Sequence, residues 1–443
     1  MDCINVYGAG LAGSEAAWQA ARRGVRVRLF EMKPKKKTPA HHSDLFGELV
    51  CSNSLRNAAV DSAAGLLKEE LRRMGSLIME AADASRVSAG GALAVDRVRF
   101  STYITEKIRS CPLIEVIEAE MTDIPEDEIT VVATGPLTSD ALAAKIVTLT
   151  GQSGLSFFDA AAPIVDFATI DMTRAFFASR YGKGDADYIN CPMNEAEYKA
   201  FYEALVTAEE AELHDFDKDE TLTVFEGCMP VEVMAKRGED TLRYGPLKPV
   251  GIRHPETGEK YYAVVQLRRE DEHGSMFNLV GFQTHLTFPE QKRVFRMIPG
   301  LQNAEFLRYG VMHRNTFLNS PNLLCEDYSL RSNRNIFFAG QMTGVEGYIE
   351  STASGYLAGL AAVCRLHGAD APVFPDVTMI GAMAQYVSHG GVGDFQPMNA
   401  NFGIIPPLAN PPKGGRRVRY PMYAQRALDA LAQVDLMLPE SAQ

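Results

Sequence analysis

Ile4-Asn5-Val6-Tyr7-Gly8-Ala9-Gly10-Leu11-Ala12-Gly13 is the stretch on which the reading of this chain turns. Four residues of strand character run into a glycine-rich turn, and the turn opens a segment, Leu11 to Arg23, rich in helix formers. Ala16, Ala17, Ala20 and Ala21 give that helix a small-residue face. Gly24 ends it, and Val25-Arg26-Val27-Arg28-Leu29-Phe30 alternates as a second strand closed by Glu31. This is a βαβ opening with a G-x-G-x-x-G turn in the context that a dinucleotide requires. Gly8 permits the tight turn, Gly10 lets the backbone approach a pyrophosphate, and Gly13 lets helix and strand pack closely. The helix start supplies unpaired N–H groups and partial positive charge to the phosphates, with Leu11 and Ala12 in its first turn. Glu31 is placed to accept hydrogen bonds from ribose hydroxyls and would repel a 2′-phosphate.

Outward from that turn, the chain has 443 residues, enough for two or three domains. An apolar fraction of 46% with 23% charged residues is that of an ordinary globular protein. No apolar run approaches the ~18 residues that span a bilayer. With a strand starting almost at the first residue, no signal peptide is expected, and the chain is expected in the cytoplasm. The seven cysteines are scattered and form no C-x-x-C pair, so neither a disulfide framework nor a zinc site is indicated. His41-His42 lacks further ligands at metal spacing, and no metal is expected. A net charge of −12 argues against indiscriminate coating of nucleic acid, while leaving room for local basic patches such as Lys35-Lys36-Lys37.

The texture of the chain changes twice. Residues 1–155 carry the dinucleotide signals, including Ile129-Thr130-Val131-Val132-Ala133-Thr134-Gly135, a strand ending on a glycine. Within them, 34–57 reads as a long polar loop. Residues 156–324 are richer in aromatics and mixed short elements, and read as an inserted α+β substrate or RNA domain. Residues 325–443 return to the nucleotide fold at Asn335-Ile336-Phe337-Phe338-Ala339-Gly340, then end in a Pro- and Gly-rich tail with a helix expected from about Tyr423 to Leu436. The expected class is α/β, an FAD-binding, Rossmann-like doubly wound fold with an inserted domain. FAD rather than NAD is suggested by the second half. Gly340 and Gln341 lead through a glycine-rich stretch to Ser351 and a small-residue helix of Ala353, Gly355, Ala358, Gly359 and Ala361. The start of such a helix can approach an isoalloxazine ring and stabilise charge gathered on reduction.

Five segments, Val6 to Glu31, Val50-Cys51-Ser52-Asn53-Ser54-Leu55-Arg56, Phe225-Glu226-Gly227-Cys228-Met229-Pro230, Met312-His313-Arg314-Asn315-Thr316 and Phe338 to Gly355, together resemble the folate- and FAD-dependent tRNA (uracil-5-)-methyltransferases. The resemblance runs in order through essentially the whole chain. It implies methylation of C5 of the T-loop uridine of tRNA, with methylenetetrahydrofolate as one-carbon donor and NADH or NADPH reducing the flavin. It also implies that Cys51 and Cys228 are the catalytic pair. Uracil C5 is a poor nucleophile, and a thiolate adding at C6 makes an enolate that attacks a one-carbon electrophile. Cys228 is the expected nucleophile toward uracil, ahead of a helix start at Pro230 that favours thiolate, with Glu226 and Glu232 opposing it. Cys51, in the polar loop, is expected near the flavin as proton donor or protector of the one-carbon adduct.

His313, Arg314 and Asn315 form a compact polar cluster suited to folate or uracil, with a hydrogen-bonded turn as the plain alternative. His285 and Asp96-Arg97 are weaker candidates for substrate contact. The same chemistry on ribosomal RNA is one alternative. A related flavoprotein family modifies wobble uridine, but its members carry a further C-terminal helical domain, and this chain is expected to be too short for one. A flavin-stabilised RNA-binding protein without catalysis is a third.

Overall fold

The computed structural model describes residues 3–38, 40–151, 155–160, 162–182, 185–211, 229–254, 257–271, 273–310, 312–389 and 395–436, with backbone alone for 155–160 and 312–316. Five parallel strands form the first sheet, in the order Ile336–Phe338, Thr130–Val132, Cys3–Tyr7, Arg26–Glu31, Ile114–Glu118. The first strand sits at its centre, with Val6 beside Leu29 on one side and Val131 on the other. Ile4, Val6, Val27, Leu29, Val131 and Val132 are all buried, the pattern of strands in a covered parallel sheet. This is the doubly wound, Rossmann-like class expected from the sequence.

The helix Leu11–Ala21 follows the glycine turn and packs against the helix Tyr348–Leu366. Their crossing explains the small residues on both. A Cβ on Gly355 would stand 2.2 Å from the Ala12 carbonyl oxygen, and one on Gly359 would stand 2.7 Å from Ala16 Cα. Real Cβ atoms do not approach so closely, so only glycine lets these backbones touch. The contact sets the start of the later helix beside the glycine turn of the first, although more than 300 residues of chain separate them.

A second sheet of six strands is antiparallel throughout, in the order Phe176–Ala178, Tyr188–Met193, Ala263–Arg269, Met276–Leu279, Ile164–Asp166, Phe306–Arg308. Helices Glu195–Val206 and Phe288–Phe295 help to enclose its own core, in which Phe201, Phe277, Phe282 and Phe295 are fully buried. A ribbon of Leu155–Ala160 paired with Met312–Phe317 lies where the chain enters and leaves this unit. No helix among the described residues is long and apolar enough to cross a membrane.

Two local expectations need correction. The polar loop ends in a strand, Ser54–Asn57, which pairs with Ala92–Val95. The tail holds an unanticipated helix, Met379–His389, and its last helix runs Gly415–Leu431 rather than from Tyr423. Pro421 sits inside that helix and masked it in the sequence. Burial of Ala424, Ala427, Leu428 and Leu431 outweighs the local preference.

Candidate active site

The glycine turn opens onto a groove of about 1150 Å³, counting its open mouth. Gly8, Gly10, Leu11, Ala12, Glu31, Gly135, Gly340, Gln341 and Ser351 all line it, so residues from both ends of the chain meet there. The three turn glycines have three distinct reasons. Gly8 has φ +93°, and a Cβ there would lie 2.7 Å from the Ala133 carbonyl oxygen. A Cβ on Gly13 would lie 1.8 Å from the Gly8 carbonyl oxygen. A Cβ on Gly10 would meet no protein atom within 4 Å, so what its absence leaves clear is the groove itself. Glu31 is buried at the groove's edge, where its carboxylate accepts from the Ala9 N–H at 2.8 Å and the Lys33 N–H at 3.0 Å. A carboxylate offers more acceptor sites than those two, so it retains capacity for a ribose hydroxyl.

Cys51 lies next to the groove, half-buried, on a segment held from several directions. The N–H groups of Cys51 and Ser52 donate to the phenol oxygen of Tyr348 at 2.9 and 3.2 Å. Cys51 Sγ lies 2.9 Å from the same oxygen. With two N–H groups directed at the oxygen's lone pairs, the phenol proton is the one left for the sulfur. Burial, and then the neighbouring Cys51, raise Tyr348 well above the ordinary phenol value, so it keeps that proton to donate.

Arginines hold the carbonyls on either side. Arg97 Nη1 donates to Leu49 O, and Arg308 Nη2 donates to Val50 O. Arg268 donates from Nη2 to Ser52 Oγ at 2.7 Å and from Nε to Asn53 Oδ1 at 3.1 Å. Asn53 in turn donates to the carbonyls of Val95 and Arg269. The Cys51 segment is thus pinned between the nucleotide fold and the second sheet. Asp96 caps the helix Arg97–Ser110 through the N–H groups of Val98 and Arg99, which sets Arg97 at its first position. Sequence reasoning singled out Asp96-Arg97 only weakly and gave no role to Tyr348, Arg268 or Arg308. No local signal marks these residues, because each earns its place through a contact tens to hundreds of positions away.

Cys228 lies outside the described residues. The nearby chain on either side of residues 212–228 is ordered by His285. Its Nε2 lies 2.8 Å from Glu210 Oε2, and its Nδ1 lies 2.6 Å from Glu232 Oε1. Thr284 Oγ1 and the His285 N–H also donate to Glu232, which is fully buried. Burial pushes the His285 pKa down, but the Glu232 and Glu210 carboxylates outweigh it and the pKa is raised overall. Pro230 is the N-cap of the helix Val231–Lys236 rather than its first residue. His313, Arg314 and Asn315 lie on the strand Met312–Phe317, with backbones opposite Asp159, Phe158 and Phe157. Their side chains lie outside the described atoms.

Comparison with known proteins gives findings of one kind. The family described as "Glucose inhibited division protein A" matches residues 3–370. A protein of Acetivibrio thermocellus named "Methylenetetrahydrofolate--tRNA-(uracil-5-)-methyltransferase TrmFO" is 58% identical over 433 residues, 98% of each chain. A protein of the same name from Heliobacterium modesticaldum is 59% identical over 428 residues, 97% of each chain. A solved structure of GidA from Aquifex aeolicus is similar in fold, with a TM-score of 0.69 at 17% identity, covering 99% of this chain and 74% of that one. Identity near three residues in five from end to end leaves one assignment: the chain belongs to the GidA family and, within it, to the methylenetetrahydrofolate--tRNA-(uracil-5-)-methyltransferases.

Proposed function

We propose that this protein methylates C5 of the T-loop uridine in tRNA, with methylenetetrahydrofolate as one-carbon donor and NADH or NADPH as reductant through bound FAD. The observation that carries the reading is the near-complete, 57–59% identity to relatives named for that reaction. The groove's chemistry agrees with it. The clear space at Gly10, the close packing at Gly13 and the Glu31 carboxylate fit a dinucleotide pyrophosphate and ribose. Bound FAD supplies two-electron chemistry, so that the folate methylene and the nicotinamide's electrons together become the C5 methyl and the folate leaves as tetrahydrofolate.

The chain's own residues do the rest. Cys228 adds to uracil C6 as a thiolate and raises electron density at C5. Cys51, hydrogen-bonded to Tyr348, holds or moves a proton beside the flavin groove. The start of the Tyr348–Leu366 helix faces the groove and contributes partial positive charge. His313, Arg314, Asn315 and His285 are assigned to folate or uracil binding. The reading divides the chain into residues 1–155 and 325–443 for the flavin and 156–324 for the RNA, and places it in the cytoplasm with its tRNA.

An RNA hairpin carrying 5-fluorouracil at the target tests the path, because fluorine cannot leave as the C5 proton does. Wild type should form a covalent adduct that maps to Cys228. Cys228→Ala should retain FAD and form none. An undiminished adduct on Cys51 in that variant would reverse the two roles, and full methylation by both alanine variants would end the covalent mechanism.

A further inference from the structure

The chain from Glu48 to Cys51 is a partition with a groove on each side. His41 and Val50 line the flavin groove, their neighbours His42 and Leu49 line a second groove, and Glu48 reaches both. The second groove, about 1330 Å³ with its open mouth, lies between the nucleotide fold and the antiparallel unit. On its far wall three rings form a column. Tyr309 is 4.8 Å from Phe288 at 16° between planes and 5.4 Å from Phe306 at 17°. Phe288 ends the column and is 50% exposed, and Leu307, which also lines the groove, is 52% exposed. Large apolar side chains left in water at one place mark a surface that something else covers.

Charge completes the picture. Arg308 lines the groove and has no carboxylate in ion-pair contact among the described residues, whereas its neighbour Arg97 pairs with Glu270 at 2.7 Å. Burial and the Arg97 charge lower the Arg308 pKa, and the smaller opposite pull of Tyr348, Cys51 and Glu270 offsets them only in part. A stacking face next to a guanidinium that has no ion-pair contact among the described residues matches one kind of ligand, a flat heterocycle joined to an anionic group.

We propose that this second groove takes an unpaired nucleotide of the RNA substrate, with its base extending the Phe288–Tyr309 column and its phosphate toward Arg308. The proposal rests on the tRNA-methylating reading and adds a place for the base neighbouring the target. Methylenetetrahydrofolate also joins a flat ring to anions, but its one-carbon unit must reach the flavin, and the Glu48–Cys51 partition stands between the two grooves. Loop nucleotides, by contrast, are recognised by splaying bases onto aromatic side chains, and each base has a face to stack.

The test uses the FAD-bound protein and a T-arm hairpin RNA in which 2-aminopurine replaces, one position at a time, each base flanking the target uridine. Wild type should quench one position strongly. Phe288→Ala should abolish that quench and weaken hairpin binding by about tenfold, on the order of one lost base–aromatic stack. Phe288→Trp should retain both, which separates stacking from damage to the fold, while FAD absorbance and the folate KM stay unchanged in both variants. A raised folate KM with unchanged hairpin affinity would overturn the proposal in favour of folate. No change in quench or affinity would overturn it outright. A wild-type protein that binds the hairpin but fails to methylate it sinks the proposed function instead, and leaves the groove test readable.

Discussion

The flavin groove and the Cys51 segment lie side by side and are built in opposite ways. The groove's critical turn comes from ten consecutive residues, Ile4 to Gly13, whose shape follows from missing Cβ atoms. The Cys51 segment has almost no shape of its own. It is held by Tyr348, Arg97, Arg268 and Arg308, which arrive from three distant parts of the chain. A site built by backbone geometry tolerates change around it and fails at single glycines. A site built by convergence fails gradually, as each holder is removed.

The largest expected effect sharpens that contrast within the turn. Gly13→Ala drives a methyl group onto the Gly8 carbonyl, and should cost several kcal/mol and lower the yield of folded protein. Gly10→Val should leave thermal unfolding of the apoprotein near wild type and abolish FAD retention, read from the flavin absorbance. If Gly10→Val instead unfolds the chain while Gly13→Ala does not, the assignment of reasons to the glycines is wrong.

Next in size is Tyr348→Phe. Loss of the hydroxyl strips a partner from two N–H groups and from Cys51 Sγ, so turnover should fall by about 10²-fold. FAD content should be nearly unchanged, because the ring remains. Turnover within a factor of two of wild type would show that the Cys51 segment keeps its geometry without this holder.

Smaller and pH-dependent is His285→Gln. The His285 pKa is raised in the folded protein, so its stabilisation is fully present below the unfolded value near 6.5 and fades as pH rises through the raised value. The variant should therefore lose about 2 kcal/mol at pH 6 in denaturant unfolding, and the gap should narrow at higher pH. A gap that widens with pH would mean that the neutral ring is the stabilising form. The smallest effect is expected at Lys36→Ala, since this exposed lysine pairs with Glu120 at the surface, and neither stability nor FAD content should change measurably.

Much of the nucleotide fold was legible because its determinants are local. Gly8, Gly13 and Gly24 act on their own turns, and the alternation of Val25 to Phe30 needs only its own strand. The small residues of the Tyr348–Leu366 helix were visible too, although their partner, Ala12 and Ala16 of the first helix, was not. The last helix was misplaced because Pro421 speaks locally and the buried Ala424, Ala427, Leu428 and Leu431 speak only once the tail has packed.

By itself, then, the sequence determined the βαβ opening, the dinucleotide turn with Glu31, the family and the two cysteines worth testing. Tertiary structure alone decided that Tyr348 meets Cys51, that three arginines pin the segment around it, that His285 joins Glu210 to Glu232, and that Phe288 and Tyr309 face Leu49 across a groove. The physical reason is range. A turn glycine's positive φ or a strand's alternation acts within a few residues, whereas a hydrogen bond to a segment 297 positions away exists only after both sheets have folded and the chain has brought its ends together.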